Sequence, residues 1–271
     1  DLQALLHDRL EQFSLSPTAL IDFLNVAEAG PASFLERHLL RLPTPRSANG
    51  SYGTAVHAAL ETAQRLVNTS QLRLVTVLDR FETALQEEHL APPDYEHYKT
   101  RGVKLLGSLF DKDNLSIPKG GLAEQKVNDI VLKHARIKGK LDRINQNDEL
   151  VVSDYKTGKA LASFATKDKT KMVKAWRHKT QLLFYCLLMS NSGRFANTKD
   201  ISAQMLYLEA EKPTQRVLGL KPESADLLRL EGLIEAVWQR VTKLDFPDTT
   251  RYPATAEGIK AFEDDLLGGK V

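Results

Sequence analysis

The sequence predicts an α+β or α/β core of a few strands, with helices before and after it. Three short segments between residues 122 and 155 are rich in β-branched residues and partly alternate between apolar and polar positions, which is typical of strands. The chain before them has apolar residues at helical spacing, interrupted by breaks that contain Pro or Gly. The chain after them begins with a long segment that carries an apolar stripe, which predicts a long helix.

The helices before the sheet are predicted from a cap and from chain breaks. Ser16-Pro17 is typical of a helix N-cap followed by Pro at the first helical position. Breaks are expected at 42–45, 111–114 and 118–121, and helices over Tyr52–Val67, Leu72–His89 and Tyr95–Phe110. Residues 1–120 are therefore predicted to form a helical N-terminal part, and 121–271 a core with C-terminal helices, in one integrated domain.

The remaining elements follow from the same patterns. Strands are predicted at Leu122–Val127, Asp129–Ile137 and Leu150–Tyr155, and residues 138–144 would continue the second strand or start the next. A turn is expected at Asn145–Asp148. Later elements are a helix over Lys171–Ser190, a strand over Ile201–Leu208, and helices over Ala225–Leu244 and Ala256–Leu267.

Composition limits the classes of site and compartment. The 271 residues, 42% of them apolar, are enough to bury a substantial core, yet no apolar run reaches the roughly 18 residues of a membrane span. The start of the chain lacks the features of a signal peptide, so a cytoplasmic setting without membrane contact is expected. Cys186 is the only cysteine, which excludes an intramolecular disulfide and a four-cysteine cluster, and it is expected to be buried in a helix. No phosphate loop of the Gly-x-x-x-x-Gly-Lys-Ser/Thr type occurs, so no ATP site is expected in these residues.

Charge is distributed unevenly along the chain. The net charge is only +2, but the stretch from Lys156 to Lys179 contains a single acid, Asp168. Such a run is typical of a surface that follows a phosphate backbone and, equally, of a solvated helix face. Its candidate DNA-binding residues are Lys159, Lys171, Lys174, Arg177 and Lys179.

The densest chemical pattern is Asp154-Tyr155-Lys156, with Asp142 upstream. Alternate residues of a strand share a face, so Asp154 and Lys156 are expected to point one way and Tyr155 the other. If Asp142 lies on the preceding strand of a hairpin, the two carboxylates can meet, and a cation or a proton must then separate them. Hard oxygen ligands without cysteine suit Mg²⁺ or Mn²⁺, which could polarise a phosphodiester while Lys156 stabilises the developing charge. An Asp-x-Lys pair alone is more typical of an exposed ion pair. Its position at the end of a strand favours a functional site instead.

These residues resemble a known nuclease core. Gly139–Ile144 followed by Asp154–Gly158 is similar to the core of the PD-(D/E)XK nuclease superfamily, and within it to the RecB-like group at the ends of helicase–nucleases. Further segments stand in the order that this group has: the opening segment 15–24, Gly53–His57 as its Gly-x-x-x-His helix, Glu124 as its acidic strand residue, and Gln181–Tyr185 as its Gln-x-x-x-Tyr helix. The resemblance spans about residues 15–250.

The resemblance implies a restriction-endonuclease-like α/β fold with a central mixed sheet of about four to five strands. It also implies that Asp142 and Asp154 ligate the metal with the backbone carbonyl of Tyr155, and that Lys156 is the catalytic lysine. His57 would be a further ligand or lie close to the ion. Glu124 would support the metal or place the scissile phosphate, and Gln181 and Tyr185 would brace the site or touch DNA. The structural alternatives are an ordinary helix histidine, a solvated strand glutamate and a core tyrosine.

The chain departs from the many relatives that hold an iron–sulfur cluster. Neither residues 26–29 nor residues 246–253, the regions where those relatives carry cysteines, contain one. The cluster is therefore expected to be absent, with packing joining the two ends of the domain instead.

The sequence supports one leading hypothesis and two alternatives. The leading hypothesis is a Mg²⁺- or Mn²⁺-dependent DNA nuclease, an exonuclease or end-processing enzyme of repair or recombination, with a possible helicase domain or subunit as partner. The first alternative is a nuclease-like DNA-binding module without catalysis, against which the intact Asp142, Asp154 and Lys156 argue. The second is a structural interaction domain with accidental Asp-x-Lys spacing.

Overall fold

The computed structural model of the protein describes residues 2–110, 115–146, 149–195, 198 and 200–271. The break predicted at 111–114 and the second half of the turn predicted at Asn145–Asp148 lie outside the described residues.

Helices form most of the first 110 residues. α1 (Leu2–Glu11) is followed by α2 (Pro17–Leu24), at whose start the Ser16 hydroxyl accepts a hydrogen bond from the amide of Ala19 at 3.2 Å. The predicted Ser-Pro helix start is thereby confirmed. The remaining elements of this part are a 3₁₀ turn at Val26–Glu28, α3 (Gly30–Phe34), a π-helix at Leu35–Leu40, α4 (Ala48–Asn68), α5 (Leu74–Glu87) and α6 (Pro92–Phe110).

In the described part of the chain, five strands form one mixed sheet whose order follows the chain. They are β1 (Leu122–Leu132), β2 (Ala135–Gln146), β3 (Leu150–Lys156), β4 (Ile201–Tyr207) and β5 (Val217–Leu220). β3 and β4 are parallel and joined through α7 (Lys169–Ser190), whereas the other neighbours are antiparallel. α8 (Ser224–Thr242) and α9 (Ala256–Leu267) complete the fold. The predicted α/β class with a mixed sheet flanked by helices is confirmed.

The boundary predicted between the first two strands is wrong. Asn128 and Asp129 form a bulge inside β1, where the register shifts between Val127 and Ile130 and Asp129 has a φ of +59°. The chain instead turns at Lys133, whose φ is +54°. Asn and Asp tolerate the left-handed conformation, so an Asn-Asp pair suits a bulge as well as a turn. Residues 138–144 accordingly continue the second strand.

The two faces of the sheet bury two hydrophobic cores. One face carries Tyr155 and Leu206 and is covered by α4, α5 and α6. The other face carries Ile144, Val152 and Met205 and is covered by α2, α7, α8 and α9. Helices of the predicted N-terminal part therefore lie on both sides of the sheet, although β1 does begin close to the predicted boundary at 120.

Cys186 lies buried on α7, as the sequence predicts. None of the described helices combines the length and the apolar composition that crossing a membrane requires.

Candidate active site

The candidate site lies where β2 stops pairing regularly with both of its neighbours. Towards β1, Ala123 pairs with Arg143 and Gln125 with Leu141, but Glu124, between them, takes a left-handed φ of +51° opposite Asp142. Towards β3, the paired register ends at Arg143, and the amide of Tyr155 donates instead to Oδ2 of Asp142 at 2.8 Å. A left-handed conformation is costly for a residue other than Gly and tends to occur at functional sites. The interrupted pairing opens the sheet around the Asp142 carboxylate.

His57 of α4 meets two carboxylates in this opening. Its Nδ1 lies 3.3 Å from Oδ1 of Asp142 and 3.8 Å from Oε1 of Glu124, and its Nε2 lies 3.2 Å from the carbonyl oxygen of Tyr155. One ligand atom from each of His57, Glu124 and Asp142 lies within 4.8 Å of the others. The side chains of Glu124 and Asp142 are each only 11% exposed. Three of the residues that the sequence singles out thus form one mostly buried cluster.

Electrostatics in the cluster favour a protonated His57. Burial opposes the charged imidazole, but the carboxylates of Asp142 and Glu124 outweigh it and raise the pKa of His57 to about 10. Burial also opposes the charged form of Asp142, yet His57 and the amide of Tyr155 hold the pKa of that carboxyl below its usual range. A positive charge is therefore already stabilised at the centre of the cluster.

Lys156 forms a second cluster beside the first. Its Nζ pairs with Oδ2 of Asp154 at 2.6 Å and donates to Oε1 of Gln181 at 3.1 Å. The amide nitrogen of Gln181 donates to Oδ1 of Asp154 and to the hydroxyl of Tyr185, both at 2.8 Å, and that hydroxyl lies 3.3 Å from Oδ1 of Asp154. Because Gln181 and Tyr185 are one turn apart on α7, both reach the same carboxylate.

The alternation of β3 separates its side chains as predicted. Asp154 and Lys156 face α7, while Tyr155 packs into the core under α4. Asp154 is 3% exposed, and burial raises the pKa of its carboxyl; Lys156 opposes that rise and Asp142 adds to it. Oδ1 of Asp154 accepts from Gln181 and Tyr185, whereas the buried Oδ2 pairs with the Lys156 ammonium group and has no further hydrogen-bond partner among the described residues. Oδ2 therefore keeps acceptor capacity for an ion.

The three residues of the His57 cluster and Lys156 of the second cluster line one cleft of about 650 Å³. Its lining includes the start of α4, at Gly50 and Gly53, and the end of β3, from Tyr155 to Gly158. A family model of the PD-(D/E)XK nuclease superfamily matches residues 14–257 of the chain. The protein belongs to the PD-(D/E)XK nuclease superfamily.

The similarity of the chain to solved structures is weak. The crystal structure of SSO0001 is similar with 15% sequence identity, over 69% of this chain and 74% of that one, and its TM-score of 0.27 is too low to support an argument. No curated protein matches the chain.

The donors of this PD-(D/E)XK protein fit a divalent metal ion. Two carboxylates and an imidazole offer oxygen and nitrogen ligands without sulfur, while the Tyr155 carbonyl lies at the other ring nitrogen of His57. Carboxylate and carbonyl oxygens suit Mg²⁺ and Mn²⁺, whereas an imidazole ligand is more typical of transition metals. Superfamily members typically use divalent ions such as Mg²⁺. Without such an ion, the raised pKa of His57 favours an imidazolium beside the two carboxylates.

The predicted DNA-binding residues do not share one surface. Nζ of Lys174 on α7 donates to the carbonyl of Lys159 at 2.5 Å. Burial and the neighbouring Lys156 lower the pKa of Lys174, so Lys174 and Lys159 lie close to the site. Nζ of Lys179 instead pairs with Asp226 of α8 at 2.8 Å, in a small cavity that also contains Trp176 and Leu183. Lys171 and Arg177 form exposed ion pairs, with Asp168 and Glu28 respectively.

The structure adds three residues that sequence reasoning missed. Lys140 forms an ion pair with Glu124 and lines the cleft, and its spacing of two from Asp142 on a strand is a pattern that could have revealed it. Arg101 of α6 pairs with Glu209, which follows β4, and reaches the carbonyl of Thr157 at 3.4 Å. Arg101 and Glu209 are 108 positions apart, so no local sequence pattern predicts their contact.

Proposed function

We propose that the protein is a metal-dependent deoxyribonuclease that hydrolyses phosphodiester bonds. One observation carries the proposal: the three converging ligands His57, Glu124 and Asp142 share a cleft with Lys156, in a chain that belongs to a nuclease superfamily. A histidine, two acids and a lysine in an open cleft of this size suit a phosphodiester, whose charge needs both a cation and a hydrogen-bond donor.

His57, Glu124 and Asp142 would hold Mg²⁺ or Mn²⁺, with the carbonyl of Tyr155 as a further donor. When bound, such an ion polarises the scissile phosphodiester and lowers the pKa of a coordinated water. Asp142 is held in place because one of its oxygens accepts the Tyr155 amide, which leaves the other directed at His57.

Lys156 would stabilise the charge that develops on the reacting phosphate. Asp154 and Gln181 fix its ammonium group from two sides, at 2.6 and 3.1 Å. Tyr185 and Gln181 in turn fix the Asp154 carboxylate, so α7 positions the lysine through two hydrogen-bonded groups. Asp154 is proposed as a metal ligand too, through Oδ2, which pairs with Lys156 and keeps acceptor capacity for the ion.

The finer assignment rests on the resemblance to the RecB-like group. His57 on α4 and the Gln181–Tyr185 turn on α7 approach the end of β3 from opposite faces of the sheet, which supports assigning both motifs to the site. The proposed substrate is DNA and the proposed reaction is exonucleolytic or end-processing cleavage in repair or recombination, with a helicase domain or subunit as partner. Lys159, Lys171, Lys174 and Arg177 are proposed to hold the strand, whereas the placement of Lys179 against α8 does not favour that role for it.

The proposal is tested by incubating the protein with linear single- and double-stranded DNA in Mn²⁺, Mg²⁺ or EDTA. We expect cleavage with a divalent ion, none in EDTA, and a loss of at least about 100-fold in Lys156→Ala and Asp142→Asn. Cleavage that is equal in wild type and both variants would disprove the assignment. DNA binding without cleavage by the wild type would instead favour the catalytically silent module.

A further inference from the structure

Lys156 lies between two cavities whose charged residues differ. On one side is the cleft with the metal ligands, whose lining combines the acids Glu61, Glu124 and Asp142 with the bases Arg80, Lys140 and Lys156. On the other side is a pocket of about 270 Å³ between α2 and α7, lined by Thr18, Ile21, Lys156, Arg177, His178 and Gln181. Among the described residues, no carboxylate lines this pocket. The pocket therefore favours an anion, whereas the cleft is mixed in charge.

Two cations, Lys156 and Arg177, line the pocket together with His178. Burial and, in addition, Lys156, Lys174 and Arg177 lower the pKa of His178 to about 3, so the ring adds no positive charge. Its Nδ1 lies 2.9 Å from the hydroxyl of Tyr207, which holds the ring in place. The positive charge of the pocket therefore comes from Lys156 and Arg177.

We propose that this pocket is a second phosphate subsite, which binds a phosphate group of the nucleic-acid strand next to the scissile one. Arg177 would supply the charge, while the Thr18 hydroxyl would donate a neutral hydrogen bond. The identity of the ligand rests on the proposed nuclease function: Lys156 lines both cavities, so a phosphate in the pocket would lie beside the same side chain that faces the scissile phosphate in the cleft.

Glu28 competes for Arg177 in the structure without ligand. NH1 of Arg177 lies 3.1 Å from Oε1 of Glu28, and the two side chains are 39% and 48% exposed. An exposed pair of this kind contributes little to stability, so Arg177 can exchange Glu28 for a phosphate at small cost. Removing the Glu28 charge should therefore strengthen binding, whereas removing the Arg177 charge should weaken it.

The test measures binding of a fluorescein-labelled oligodeoxythymidine of about ten nucleotides by anisotropy, in EDTA and at several salt concentrations. Arg177→Gln should weaken binding about five- to tenfold at about 0.1 M salt and reduce the slope of log K against log salt by about 1. Glu28→Gln should tighten binding by about two- to fivefold. Thr18→Val should weaken binding about two- to tenfold without changing the slope, because it removes no charge.

The matched control is the ion pair of Arg240 with Asp245, near the end of α8. Arg240→Gln and Asp245→Asn make the same charge changes away from the pocket and should leave the affinity and the slope unchanged. If Arg177→Gln behaves like Arg240→Gln, or if the wild type does not bind the oligonucleotide, the subsite is disproved.

This test is independent of cleavage. If the wild type cleaves DNA but Arg177→Gln binds normally, the subsite fails and the nuclease proposal stands. If no cleavage is found with Mn²⁺ but Arg177→Gln and Glu28→Gln shift affinity in opposite directions, the nuclease proposal fails and the subsite stands.

Discussion

His57 couples the candidate metal site to pH. Without a metal ion, the imidazolium offsets the charge of Asp142 and Glu124, and these carboxylates raise its pKa to about 10 against the opposing effect of burial. A metal ligand has to be a neutral imidazole, so an ion that binds below this pH displaces the proton. Metal affinity should therefore rise with pH from about 7 up to the pKa of about 10.

We predict that binding of Mn²⁺ at pH 7 releases about one proton from His57. Calorimetric titration in buffers with different ionisation enthalpies measures this number. In His57→Gln, which keeps a polar side chain but does not titrate, the release should disappear and the affinity should fall about 10- to 100-fold. Equal proton release in the wild type and in His57→Gln would contradict the role of His57.

At the scale of elements, the packing of α6 on α5 depends on Gly102. A Cβ added at this position would overlap the ring of Phe81, which is buried in the core under the sheet. We predict that Gly102→Ala lowers the free energy of unfolding by about 1–3 kcal/mol, although Ala is the better helix former. In Gly107→Ala on the same helix, the added Cβ meets no atom of the described residues within 4 Å, so this substitution should instead raise the free energy of unfolding by about 0.5–1 kcal/mol. Urea denaturation measures the free energy of unfolding of both variants. Equal changes in the two variants would contradict the role of Gly102 in packing α6 on α5.

The contact between α6 and the ends of β3 and β4 also belongs to this scale. Arg101 lies over the rings of Tyr52 and Tyr98, at 4.7 and 5.8 Å, and its guanidinium reaches both Glu209 oxygens. A lysine does not reproduce this planar stacked geometry.

We predict that Arg101→Lys lowers the free energy of unfolding by about 1–2 kcal/mol, a moderate value because Arg101 is about a third exposed. Arg46 is the matched control, since it also contacts both oxygens of a glutamate, Glu88, but is 72% exposed. Arg46→Lys should lower the free energy of unfolding by less than about 0.5 kcal/mol. A larger loss in Arg46→Lys than in Arg101→Lys would contradict this account.

At the scale of the whole molecule, local patterns predicted most of the fold. The helix start at Ser16-Pro17, the apolar stripe of α7 and the alternation of β3 each depend on residues close in sequence, and the structure confirms them. β5 has only four residues and a Gly within it, and it was not predicted. The π-helix at Leu35–Leu40 was not predicted either.

The sequence also does not predict that the site is divided into two clusters. The spacing of Asp142 and Asp154 predicts that they are neighbours, and they are. It does not predict that His57 contacts Asp142 while Gln181 and Lys156 hold Asp154. That choice depends on the positions of α4 and α7 on opposite faces of the sheet, which tertiary packing determines.

Metal binding should stabilise the whole fold, because the ligands come from α4, β1 and β2. At a Mn²⁺ concentration about 100 times Kd, we predict a gain of about 2.7 kcal/mol, or a rise in Tm of about 5–10 °C. Thermal denaturation followed by circular dichroism, with and without Mn²⁺, measures it. Asp142→Asn should show no rise, and an equal rise in this variant would place the stabilising ion elsewhere.

The most direct measurement of the central claim is the anomalous difference map of a crystal soaked in Mn²⁺. We predict a peak within ligand distance, about 2.0–2.4 Å, of His57 and Asp142, with Glu124 or the Tyr155 carbonyl completing the protein ligands. A peak at the exposed group His7, Asp8 and Glu11 alone, or none at the cleft, would contradict the assignment of this site as the metal centre.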